Sequence, residues 1–318
     1  VTAIVSFASG KGGVGKSTAV SNVGLLLARR GLSVVIVDLD VGGADQHVLF
    51  GELSPALTLS DFLAKRVETL EEVAHPISWC PRLRLIAGTG DTLRNTNPAS
   101  TTKRRLERFI RKLSADVILL DIGAGTNYHA LDFFSWADVP VVIATPDPTA
   151  VLDLYKFVKL AATRRVLGAL GSREPAGEVL LERDFRTLQQ LMAAAREAGP
   201  VAEQKAADAL ASMRVCMLLN QASGDDRAGV ARLRGVIQRF LGSDAVALGS
   251  IPSDPAVAQS IRRFLPVVES APDSPAARAF ASVCDALLRE LPGLARNSLI
   301  VPVSAGAAPA AHAPRKTR

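Results

Sequence analysis

Cysteine is nearly absent from this chain of 318 residues, which holds three Cys, two Trp and two Tyr, with aromatics at only 5%. Cys80, Cys216 and Cys284 lie far apart and no Cys-x-x-Cys occurs. Neither a disulfide framework nor a sequence-local zinc site is therefore expected. The four histidines, His47, His75, His129 and His312, are equally scattered. No uninterrupted apolar run approaches the ~18 residues of a membrane-spanning helix. No signal-peptide layout opens the chain, because residues 1–8 lead straight into a glycine loop. The expected compartment is the cytoplasm. Charge is nearly balanced as well: 37 Lys+Arg against 31 Asp+Glu leaves +6. With 48% hydrophobic and 21% charged residues, the composition is globular, which excludes a disordered or fibrous chain over most of the length.

The small basic excess is unevenly placed. Residues 302–318 hold Arg315, Lys316 and Arg318 and no acid, in an Ala/Pro-rich context expected to be disordered. Residues 103–112 (KRRLERFIRK) carry six basic residues and only Glu107 against them. Leu106, Phe109, Ile110 and Leu113 recur there at helical spacing, which predicts an amphipathic helix with a basic outer face.

Apolar runs rich in β-branched residues predict strands at 2–8, 33–38, 83–87, 117–121, 139–144, 215–220 and 245–248. Helical patterns fall at 17–30, 60–66, 100–113, 128–136, 149–167, 227–241 and 274–291. The alternation predicts an α/β fold with a mostly parallel central sheet and helices on both faces. Residues 168–212 break the rhythm with helical stretches near 181–198 and 203–212 and no strand. They are expected to form a helical insertion. The expected organisation is one domain over 1–292, followed by a basic tail over 293–318.

Residues 10–17 (GKGGVGKS) fit G-x-x-x-x-G-K-[ST] between a predicted strand and a predicted helix. Glycines let successive backbone N–H groups turn inward around phosphates, and the following helix aims its positive end at the anion. Gly10, Lys11, Gly12, Gly13, Val14, Gly15, Lys16, Ser17 and Thr18 are thus candidate nucleotide-binding residues. Lys16 can reach the terminal phosphates and the Ser17 hydroxyl can ligate Mg²⁺. Two further strands end in carboxylates, VVIVDLD at Asp38 and Asp40 and VILLD at Asp121. Strand ends of a parallel sheet face the ligand crevice, so these acids should converge on the phosphates.

An ordinary phosphate loop does not need the second lysine, Lys11. The run 10–18 (GKGGVGKST) resembles the deviant Walker A loop of the MinD/ParA family, within the SIMIBI class of P-loop proteins. The resemblance implies ATP/ADP and Mg²⁺ as cofactors and an ATP-dependent homodimer in which Lys11 crosses to the partner's nucleotide. It implies that Asp121 holds Mg²⁺ through water, that Asp38 lies behind the metal, and that Asp40 orients or deprotonates the attacking water. Residues 121–125 (DIGAG) match the second switch. At the base end it assigns Asn220, Pro252 and Asp254 to the adenine site.

Residues 121–126 (DIGAGT), 145–149 (TPDPT) and 240–254 resemble the FlhG/FleN branch, ATPases that act as spatial regulators of flagella. The resemblance implies a dimerising switch with a protein partner or activator. A ParA-like, DNA-binding partition ATPase is the alternative, with Arg104, Arg105, Arg108, Arg111, Arg262 and Arg263 as its candidate cations. A metal-cluster ATPase ranks below both, since residues 121–126 contain no Cys. The apolar run 298–303 is short and contains Pro302, so MinD-type membrane anchoring is not expected. Recruitment to membrane or nucleoid would pass through a partner.

Overall fold

The computed structural model describes residues 2–40, 43–88, 100–171, 185, 187–223, 226–241 and 245–293. The predicted tail from 294 onward, the run 298–303 and the 172–184 part of the expected insertion lie outside the described residues.

Near-continuous runs of β-branched and aliphatic residues build the centre of the sheet. Strands β1 (Ala3–Ala8), β2 (Val34–Leu39), β5 (Val117–Ile122) and β6 (Val139–Ala144) are buried along their whole length. Strands covered on both faces have no polar side to alternate with, and parallel crossovers supply that cover. The flanking strands are β3 (His75–Ile77), β4 (Cys80–Ile86), β7 (Cys216–Ala222) and β8 (Val246–Pro252). Their order is β3-β4-β2-β5-β1-β6-β7-β8. All neighbours are parallel except the β3–β4 edge pair, which the strand pattern did not predict.

Alternate residues feed two cores. Ile118, Leu120 and Ile122 of β5 point into one, and Val117 and Leu119 into the other. The first core is covered by α3 (Leu59–Leu63), α4 (Ser100–Ile110), α5 (Tyr128–Trp136), α6 (Pro148–Leu170), α7 (Leu188–Glu197), α8 (Pro200–Ala211) and α9 (Arg227–Leu241). The second is covered mainly by α1 (Lys16–Arg29) and α12 (Pro275–Glu290). Short helices α2 (Gln46–Leu49), α10 (Pro255–Arg262) and α11 (Val267–Ser270) complete the described elements.

The region expected as an insertion begins inside α6, which runs unbroken to Leu170. Leu191, Ala194, Ala195, Ala202 and Ala206 of α7 and α8 are buried in the first core. Gly199, at φ 116°, turns the chain between these two helices, and Pro200 starts α8. Among the described residues, no helix is long and apolar enough to cross a membrane.

In the sheet order β1 and β6 are neighbours, and the chain leaves β1 toward β2 on one side and β6 toward β7 on the other, so the connections part at their carboxyl ends. Such a switch point opens a crevice above the carboxyl ends of the strands.

Candidate functional site

The crevice is floored by the loop that joins β1 to α1. Gly10 sits where a Cβ would lie 2.2 Å from the Asp153 carbonyl oxygen of α6, so only glycine fits. Gly15 caps α1 at φ 83°, in the left-handed region that side chains disfavour. The loop is braced from the end of β7. Asn220 donates from Nδ2 to the Val14 carbonyl at 2.7 Å, and Gln221 from Nε2 to the Gly13 carbonyl at 3.3 Å. The Gly125 N–H donates to the Ser9 carbonyl at 3.1 Å, which ties the 121–125 segment to the same loop.

Beneath the loop lies a buried polar network. The β2–β5 register pairs Asp38 with Asp121, and both carboxylates are fully buried. Lys16, the first residue of α1, places Nζ 2.5 Å from Asp121 Oδ1 and 3.8 Å from Asp40 Oδ2. Gln46 donates from Nε2 to Asp121 Oδ2 at 2.8 Å and to the Ser17 carbonyl at 2.9 Å. Asp38 accepts from the backbone N–H groups of Asp40 and Gln46, each at 3.1 Å. Burial, reinforced by the neighbouring Asp121 charge, holds the Asp38 carboxyl well above the usual carboxylate range. Gly123 leaves room for Asp40, since a Cβ there would lie 3.1 Å from Asp40 Oδ1.

Lys11 is placed differently. It is exposed at the mouth, and its Nζ donates to Thr149 Oγ1 of α6 at 3.3 Å. The two lysines of the loop are thus separated by function-relevant environment: one is buried among acids, the other faces solvent.

The cleft has a volume of about 580 Å³ and brings together the predicted loop residues 11–18, but not Gly10, with Asp40, Asn220, Pro252 and Asp254. Its far end is walled by Val257, Ala258 and Ile261 of α10 and by Phe280. Asp254 is committed elsewhere: Oδ1 accepts from the Ala256 N–H at 2.9 Å and Oδ2 from the Ala276 N–H at 3.0 Å. Both of its carboxylate oxygens are therefore engaged within the fold. The Asn220 amide likewise supports the phosphate loop.

Sequence reasoning missed Gln46 and Gln221, which carry no motif signal, and the apolar wall of α10. The wall had a signal in Asp254–Pro255, a cap followed by proline at the first helical position. The Cys residues do not reach the cleft. Burial pushes the Cys216 and Cys284 thiols up to about 12, and Cys80 lies half-buried at the start of β4.

The donor set suits a magnesium–nucleotide complex. Among the described residues no group of three or more His, Cys, Asp or Glu could enclose a metal. Mg²⁺ usually takes one or two protein ligands, with water and substrate phosphates filling the rest. The Ser17 hydroxyl and two adjacent buried carboxylates provide that kind of partial shell. Gln46 Oε1, buried without a hydrogen-bond partner, marks polar capacity still open there.

A family model described as "ParA: NUBPL iron-transfer P-loop NTPase" matches residues 1–170. The chain is 28% identical over 198 residues to the flagellum site-determining protein YlxH of Helicobacter pylori, covering 60% of this chain and 66% of that one. It is also 28% identical over 302 residues to an iron-sulfur cluster carrier protein of Mycobacterium bovis, covering 94% of this chain and 68% of that one. It thus spans about two thirds of the length of these relatives. In fold it resembles septum site-determining MinD of Pyrococcus horikoshii, solved with Mg-ADP, at TM-score 0.63 and 22% identity over 90% of this chain and 96% of that one.

Proposed function

Because the chain belongs to the ParA family of P-loop NTPases, we propose that it is an ATP-hydrolysing, dimerising switch that acts as a positioning regulator. One observation carries this reading: Lys16 is buried in an ion pair beneath the glycine loop, while Lys11 of the same loop stands exposed at the cleft mouth. The similarity to YlxH supports the positioning role.

In this reading the inward N–H groups of residues 10–17 bind the phosphates. Lys16 exchanges Asp121 for phosphate oxygens. Ser17, Asp121 and, from behind, Asp38 would hold Mg²⁺, which would supply charge neutralisation of the phosphates. Asp40 orients a water for attack and accepts its proton. Lys11 of a second copy reaches the transferring phosphoryl, a contribution that in comparable trans-acting cations reaches ~10³–10⁵ in rate. The chain's cysteines speak against cluster transfer, since Cys216 and Cys284 are buried, Cys80 is half-buried, and none of the three lines the cleft.

Size-exclusion chromatography of Asp40→Ala with ATP and Mg²⁺ tests the switch. A dimer at micromolar protein that disappears in an added Lys11→Ala change is expected. A persistent monomer overturns the reading.

A further inference from the structure

The cations of α4 take no part in the cleft. Arg104 and Arg108 on α4, and Arg111 and Lys112 in the turn after it, are exposed. None of the ion pairs among the described residues includes them. Rings support three of the four side chains instead. Arg111 lies 4.4 Å from the Trp136 centroid, and Arg108 and Lys112 lie 5.4 and 5.6 Å from that of Phe109. Stacking on rings limits the rotamer freedom that binding would otherwise remove. The apolar residues Leu106, Ile110 and Leu113 all point into the first core.

The strip is short. From Arg104 to Arg111, at about 1.5 Å per residue, it covers about 10 Å. Beyond Lys112 it meets acid. Glu71 accepts from the Ser114 N–H at 2.6 Å, and Glu68 and Glu72 are exposed on the same segment.

We propose that this strip docks an acidic segment of a partner protein, one with several carboxylates along a single helix face or a short extended run. Arginine forks match carboxylates in bidentate geometry. The acidic border argues against a longer polyanion. Duplex DNA carries a charge every ~1.7 Å along its axis, so continuing past Ser114 would set phosphates against Glu68, Glu71 and Glu72. A lipid surface is disfavoured because the partly buried apolar residue of α4, Phe109, is ringed by the cations Arg105, Arg108 and Lys112. The inference stands apart from the nucleotide reading, since none of these residues touches the cleft.

Fluorescence anisotropy with a labelled glutamate-rich peptide at low salt tests it, with the glutamine version of the peptide as control. The chain is expected to bind the glutamate peptide, and Arg104→Glu/Arg108→Glu to weaken binding by about tenfold or more. Arg262→Glu/Arg263→Glu is expected to leave it unchanged. Arg104→Gln/Arg108→Gln, expected to weaken binding less, serves if the reversal disturbs folding. Absence of wild-type binding, or equal binding by wild type and reversal, overturns the proposal. So does tighter, reversal-sensitive binding to duplex DNA or to phosphatidylserine vesicles.

Discussion

The cleft and the α4 strip use the same kind of charge in opposite surroundings. In the cleft, Lys16 is 6% exposed and pressed against Asp121, with Asp38 and Gln46 behind it. On α4, Arg104 and Arg108 are exposed, Arg108 against the Phe109 ring and Arg104 near the single acid of the helix, Glu107. A buried cation is held by a matched partner whose loss leaves a charge stranded, so it is costly to disturb. An exposed cation contributes little to the fold and remains free for a visitor. Between them lies Asp132 on α5, half-buried, which accepts from Lys103 of α4 and from Arg164 of α6, the latter Nη2 bond at 2.9 Å.

This contrast breaks first at Lys16. Lys16→Ala is expected to abolish detectable ATP binding in calorimetry. It should also lower unfolding free energy by about 3–5 kcal/mol in urea melts, because Asp121 loses its buried partner. Nucleotide loss with unchanged stability would show that the pair is no structural element.

Asp132 sharpens the middle of the scale. Burial raises its pKa, yet hydrogen bonds from Arg164 and Lys103 and their charges prevail and hold it below 3.8. A depressed carboxylate stabilises the fold above its unfolded-state pKa, and that contribution is lost as pH falls through the folded-state value. Asp132→Asn is therefore expected to cost about 1–2 kcal/mol at neutral pH, reduced by solvent screening. The gap from wild type should close in acid, and urea melts across pH check it. The smallest effect belongs to the strip. Arg108→Glu alone should shift stability by less than about 0.5 kcal/mol. A larger loss would mean that its ring contact is part of the fold.

Much of this arrangement was legible in advance because its signals are local. The loop at 10–17, the strand-end acids Asp38, Asp40 and Asp121, and the central strands each announce themselves within a few residues. What escaped depends on contacts distant in sequence. Gln46 matters only because α2 folds back over Ser17 and Asp121, 29 and 75 residues away along the chain. The β3 edge strand is three residues long and contains Pro76, too short for any periodicity. The 168–212 region was read by its lack of strands. Its described helices, α7 and α8, lie between β6 and β7 and pack into the main core largely through alanines, whose burial no local pattern announces.

Asp254 has a consequence for how the molecule opens. One carboxylate closes the first turn of α10 and also grips the first turn of α12, the last described helix. The wall of the cleft's far end and the last described helix therefore share an acceptor, and fraying of either removes a tether from the other. Local unfolding proceeds in such cooperative units. Amide protons at the start of α10 and α12 should thus exchange with solvent together, so that a ligand lodged against the wall slows exchange in a helix some twenty residues further along the chain.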